Sequence, residues 1–146
     1  MKILMVCLGN ICRSPLAHGI MEHLAKENKL DWEIDSAGTG QWFVGELPDS
    51  RSISIARKHG IDLSTQKCRQ IKVSDFDIYD RIYVMDYKNL NDVIGLARNN
   101  TDRLIVKLLL KDGIVPDPYN SDDEFEPVYN MIYKRCLEII EELKNL

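Results

Sequence analysis

No stretch of the 146 residues approaches the ~20 consecutive apolar positions that a membrane helix needs, so no membrane contact is expected. There is no block of lysine and arginine either. With 19 basic against 23 acidic residues the formal net charge is -4, which excludes a general basic field and leaves nucleic acid without a matching patch. Any attraction for an anion must therefore be local. Histidine is scarce, and His18, His23 and His59 lack a ligand spacing with a third cysteine or carboxylate. They read as helix-surface or packing residues, and neither a metal nor another cofactor is expected. Cysteine is scarce as well: Cys7, Cys12, Cys68 and Cys136 are irregularly spaced, which argues for thiols in a reducing cytoplasm rather than a disulfide framework. The opening segment is too short and reaches Arg13 too soon for a secretory leader, and Val6 stands where a lipobox needs a small residue before Cys7.

Repeats and linkers are also missing, and a chain of this length that is 45% hydrophobic fits one domain, 1–146, with one core. The apolar run 3–6 predicts a strand buried on both faces, and 15–29 a helix. A second strand is expected over 31–35, then a loop from Ser36 through Pro48 that carries Trp42 and Phe43. Residues 50–58 form a second helix closed by His59-Gly60, 81–85 a third strand, 87–98 a helix and 104–110 a fourth strand. An acidic, proline-bearing loop over 111–123 leads into a long helix over 125–146, where the run Asp122-Asp123-Glu124 reads as a helix N-terminal charge set. Strands alternating with helices predict an α/β fold, a small doubly wound sheet of four parallel strands with helices on both faces. In such sheets ligands bind beyond the carboxyl ends of the strands. The end of the first strand is Cys7.

The segment Cys7-Leu8-Gly9-Asn10-Ile11-Cys12-Arg13-Ser14 puts a thiol and a guanidinium on one short loop between a strand and a helix. Gly9 and Asn10 tolerate special backbone angles, Ser14 can cap a helix and Pro15 can open one. Loop amides converging at a helix start make an anion site, and a helix N-terminus with a neighbouring arginine favours the thiolate of a cysteine. A phosphoryl group fits this arrangement, because a planar guanidinium from Arg13 matches two of its oxygens while loop amides hold the rest. Lysine would not replace it well. Thiolate attack on phosphorus expels an alkoxide or phenoxide, which calls for a proton donor. Pro116-Asp117-Pro118-Tyr119 supplies one, with two prolines restricting the backbone around the Asp117 carboxyl.

Taken together, the Cys7 to Ser14 loop with its second thiol at Cys12, Ser36-Ala37-Gly38, the Trp42 loop, Met85-Asp86 and Asp117-Pro118-Tyr119 resemble the low-molecular-weight protein tyrosine phosphatase family over essentially the whole chain. The resemblance implies the flavodoxin-like, phosphotyrosine protein phosphatase I-like variant of the α/β fold. It implies Cys7 as nucleophile, Arg13 as phosphate clamp and Asp117 as general acid and base. Leu8, Gly9, Asn10, Ile11, Cys12, Arg13 and Ser14 would hold the phosphate. Asn10, Ser14 and Ser36 would support the loop, with Asn10 left-handed and Ser14 stabilising the thiolate. Gln66 stands where the family often has a histidine in that network. Trp42, Phe43 and Tyr119 resemble pocket walls for the ring of phosphotyrosine, and Cys12 a redox partner that traps oxidised Cys7. Cys68 and Cys136 read as packing residues. The implied partner is a phosphotyrosine protein, a tyrosine kinase among the candidates, met by a monomer or weak dimer. Two relatives of the same fold are rivals: a protein-arginine phosphatase, whose loop carries threonine where Ile11 stands, and a thiol-dependent arsenate reductase, which needs cysteines that the region 85–102 lacks.

Overall fold

The computed structural model describes residues 1–146. Strand β1 (Lys2–Cys7) shows why its apolar run is unbroken: Ile3, Met5 and Cys7 enter one core, Leu4 and Val6 the other. Strand β3 (Arg81–Val84) does the same, with Tyr83 and Ile82 facing opposite cores. With β2 (Glu33–Gly38) and β4 (Val106–Leu108) they form a wholly parallel sheet in the order β2-β1-β3-β4. The chain therefore leaves β1 in opposite directions toward β2 and β3, and the crevice that this reversal opens lies at Cys7.

Helices α1 (Arg13–Glu27), α2 (Ser50–Lys58) and α6 (Phe125–Leu143) pack together over one face. Leu16, Ile20 and Leu24 of α1 share that larger core with Val128, Ile132 and Ile139 of α6, successive residues four or seven apart on their helices. The other face is covered by α3 (Asp75–Ile78) and α4 (Tyr87–Ile94), through Phe76 and Val93. A short α5 (Asn100–Leu104) precedes β4.

Several element boundaries differ from the sequence expectation, and for three of them the local reason is visible. Strand β2 lies later than 31–35 and takes in Ser36, Ala37 and Gly38, which pair with Met5, Val6 and Cys7. A Cβ on Gly38 would stand 2.8 Å from the Leu8 carbonyl oxygen, so glycine at this position is a packing requirement rather than a loop signal. Helix α1 starts at Arg13 with Cys12 in the cap position, and the Ser14 hydroxyl is engaged elsewhere instead of capping. Helix α4 stops at Ile94, short of residue 98. The expected strand over 104–110 shrinks to Val106–Leu108, because Asn99 caps α5 by accepting from the Asp102 amide at 2.9 Å. Leu104, counted as strand, is 75% exposed at the end of that helix.

Candidate active site

Between β1 and α1 the segment 8–12 turns through Asn10 at φ 59°, the left-handed region that asparagine tolerates. Four of its five carbonyls are engaged from outside the turn. Leu8 O accepts from the Gly40 amide at 2.9 Å, Asn10 O from the Cys68 thiol at 2.9 Å, Ile11 O from the Asp49 amide at 2.8 Å and Cys12 O from the Ser52 hydroxyl at 3.3 Å. The amides of Leu8 to Cys12, by contrast, donate to no protein acceptor. A loop with most of its acceptors occupied and its donors free suits an anion.

The thiol at the end of β1 touches a short polar relay. Cys7 Sγ lies 3.0 Å from Ser14 Oγ, which accepts from Asn10 Nδ2 at 2.8 Å. Asn10 Oδ1 in turn accepts from the Arg69 amide at 2.9 Å. With Cys7 as thiolate, the single Ser14 proton can go to sulfur at 3.0 Å rather than to the Ala37 carbonyl at 3.4 Å. Ser36 does not join this relay: its hydroxyl pairs with His18 Nδ1 at 3.1 Å, which also gives His18 a polar role that a packing residue lacks. Gln66 departs from the expected network too. Its Nε2 donates to Pro15 O at 3.2 Å, at the start of α1, and the backbone of Arg69 serves Asn10 instead.

Arg13 is buried and held along one edge. Its NH1 donates to Asp86 Oδ2 at 2.7 Å and to Val115 O at 3.0 Å, while NH2 stands 3.9 Å from Asp117 Oδ2. The other Asp86 oxygen caps α4 by accepting from the Asn89 amide at 2.8 Å, so one carboxylate fixes a helix start and the arginine together. Asp117 is half exposed and braced by the Tyr119 amide at 3.1 Å.

Cys7, Leu8, Gly9, Ile11, Cys12, Arg13, Trp42, Phe43, Asp117 and Tyr119 line one cavity of ≈ 380 Å³. Asn10 and Ser14 lie buried behind it, and Ser36 is farther along β2. Trp42 is 66% exposed, which removes the possibility that it is a core residue, and Tyr119 is also exposed. Phe43 packs close enough to the loop that a Cβ on Gly9 would stand 3.1 Å from its ring. Burial, and then the charge of Asp49, push the Cys12 thiol far up, so it stays protonated beside Cys7. Burial and then the nearby Cys7 raise the Cys68 thiol to about 11, which keeps it a hydrogen-bond donor to Asn10. Cys68 is thus more than packing, whereas Cys136 is fully buried in the larger core. No group of three or more His, Cys, Asp or Glu side chains is placed to hold a metal ion.

Asp86, Val115, Asp49 and Cys68 were not singled out as site residues by sequence reasoning. Asp86 carries a usable signal, since it lies two residues past the C-terminal end of a central strand. The Val115 carbonyl and the Cys68 thiol carried none, because they act through contacts that only the folded chain creates.

A doubly wound parallel sheet whose first strand ends in a thiol beside a buried arginine and an amide-bearing loop defines a class, α/β proteins with a thiol at an oxyanion-binding loop. The chain belongs to the family "Low molecular weight phosphotyrosine protein phosphatase", which it matches over residues 2–146. It is 37% identical to the low molecular weight phosphotyrosine protein phosphatase of Sus scrofa, over 98% of this chain and 96% of that one. Among solved structures, a product-state mimic of the Entamoeba histolytica protein tyrosine phosphatase superposes with a TM-score of 0.92 at 30% identity, covering 100% of this chain and 97% of that one. A Drosophila arginine phosphatase superposes with a TM-score of 0.91 at 34% identity, covering 99% and 98%. The protein is accordingly an enzyme, and no helix in it is long and apolar enough to cross a membrane.

Proposed function

We propose that the enzyme hydrolyses phosphotyrosine in proteins through a phosphoryl group carried on Cys7. The observation that supports this most is the convergence of Cys7, Arg13 and Asp117 on one cavity with aromatic walls. Arg13, steadied by Asp86 along one edge, presents the rest of its fork to two phosphoryl oxygens, and the loop amides take the remaining charge. The Cys7 thiolate attacks phosphorus. As the phosphorus–oxygen ester bond breaks, Asp117 in its acid form gives its proton to the phenolic oxygen. Asp117, now a carboxylate, then takes a proton from water, whose oxygen attacks phosphorus and releases phosphate. The phosphorus–sulfur bond breaks, and the Ser14 hydroxyl stabilises the departing thiolate at 3.0 Å.

Trp42, Phe43 and Tyr119 suit a phenyl ring standing above the phosphate. Ile11 adds an apolar contact that would desolvate a guanidinium without replacing its hydrogen bonds, which favours phosphotyrosine over phosphoarginine. Cys12, on the same loop and lining the same cavity, is read as the thiol that captures Cys7 after oxidation, and the free thiols accord with a cytoplasmic enzyme.

Turnover of p-nitrophenyl phosphate and of phosphotyrosine and phosphoarginine peptides tests the reading. Cys7→Ser and Arg13→Ala are expected to abolish turnover, Asp117→Ala to reduce it ~10²-fold or more, and wild type to prefer the phosphotyrosine peptide. Full activity in Cys7→Ser, or a preference for phosphoarginine, would overturn it.

A further inference from the structure

One side chain outside the cavity touches both loops on which the proposed chemistry depends. Arg51, in the first turn of α2, donates through Nε to Asp49 Oδ1 at 3.0 Å and through NH2 to Asp49 Oδ2 at 2.9 Å. Its NH2 also donates to the Tyr119 carbonyl at 2.9 Å and its NH1 to Asp122 Oδ1 at 2.7 Å. The same guanidinium lies over the Phe125 ring at 4.5 Å and the Tyr119 ring at 5.4 Å. Asp49 and Ser52 meanwhile bond the carbonyls of Ile11 and Cys12 in the phosphate loop. One turn of helix therefore grips the nucleophile's loop with its backbone and Ser52, and the acid's loop with Arg51.

The acid's loop needs such a grip. Upstream of Asp117 it is tied at Val115, whose amide donates to Met85 O at 2.8 Å and whose carbonyl accepts from Arg13. Downstream, Arg51 supplies the bonds to Tyr119 and Asp122 that tie it to another element. Asp117 sits between the two ties with Pro116 and Pro118 beside it. A stiff dipeptide on each side transmits the positions of the ties to the carboxyl.

We propose that Arg51 is a positioning residue for the general acid, setting where the Asp117 carboxyl meets the leaving-group oxygen above Cys7. This rests on the reading of Asp117 as proton donor. An ordinary surface ion pair would contribute little, but here a bidentate contact to a half-buried helix cap, a carbonyl and two rings hold one planar group in a single orientation. Arg51 touches no reacting atom, so its loss should misplace the acid without disarming the nucleophile.

Leaving-group dependence separates those effects. The quantity to measure is kcat/KM for aryl phosphates whose phenols span a range of acidity, since a poor leaving group needs the proton and a good one does not. Wild type is expected to vary little and Asp117→Asn to fall steeply toward the less acidic phenols. Arg51→Met, which keeps an apolar stem against Phe125, is expected to follow Asp117→Asn, losing ~10-fold more on phenyl phosphate than on p-nitrophenyl phosphate. Asp122→Asn weakens the same tie from the loop side while leaving α2 intact, and decides the matter if Arg51→Met does not fold: it should steepen the dependence in the same sense. A wild-type slope in the folded Arg51 variant, even with a uniformly lower rate, would overturn the proposal, as would a wild-type slope in Asp122→Asn where that variant decides. A wild-type slope in Asp117→Asn would instead overturn the reading of Asp117, a result visible without any Arg51 variant.

Discussion

Cys7 and Cys12 are five positions apart on one loop, both buried, yet their hydrogen-bond partners differ. Cys7 has the Ser14 hydroxyl at 3.0 Å, whereas Cys12, in the cap position of α1, is pushed up by burial and then by the charge of Asp49. The second thiol therefore remains protonated and does not compete as a nucleophile. Its proposed use begins only after peroxide has turned Cys7 into a sulfenic acid: the Cys12 sulfur displaces the hydroxyl, a sulfur–sulfur bond forms and water leaves. Dithiothreitol should then restore the peroxide-treated wild type but not Cys12→Ser, where Cys7 oxidises irreversibly. Equal recovery of both would remove the role. At this scale the sequence was informative where chemistry is written in residue type, as in Cys7, Arg13 and Asp117. It was silent where a bond depends on distant backbone, as for Cys68 on the Asn10 carbonyl and Val115 on Arg13. Ser36 shows the opposite error, a residue assigned to the loop network whose hydroxyl reaches His18.

Among the elements, β1, α2 and α6 were legible because period, caps and length agreed. The alternating burial of α6 repeats at helical spacing from Phe125 to Leu143, and Asp49 caps α2 by accepting from the Arg51 amide at 2.8 Å. Strand β2 was displaced because Ser36, Ala37 and Gly38 look like a turn by composition, yet all three pair with β1, and Gly38 lacks a side chain where the phosphate loop passes close by. The short helices α3 and α5 have too few residues to show a period, and side-chain contacts hold them. Asp75 accepts from the Lys72 amide at 2.8 Å and from Arg69, and Asn99 caps α5. Helix α2 is the element that ties the functional parts together, since its first turn meets both the phosphate loop and the loop of Asp117.

Over the whole molecule the acidic balance is organised into ion pairs that couple stability to pH. Burial alone would raise the Asp49 carboxyl, but the hydrogen bonds from Arg51 outweigh it and hold it below the ordinary range. Hydrogen bonds from Arg98 lower Asp102, and those from Lys111 and then Arg135 lower Glu142. A carboxyl whose folded value is depressed contributes stability that is fully present above its ordinary value, 3.8 for aspartate and 4.5 for glutamate, and is lost as pH falls through the folded value. Tm should therefore be level from about pH 7 to about pH 5 and fall as pH drops toward about 3. A Tm that holds or rises over the acid range would contradict this assignment of the pairs.

The phosphoryl group itself offers the most direct test of the central claim. Asp117→Asn removes the base that activates water, so the second half of the reaction slows and a phosphoryl group should accumulate on the enzyme during turnover of p-nitrophenyl phosphate. Rapid quenching followed by peptide mass spectrometry locates it. The account predicts one phosphoryl group on the peptide that carries Cys7, absent from Cys7→Ser. A phosphoryl group on another residue, or product released in a burst with none on Cys7, would contradict it.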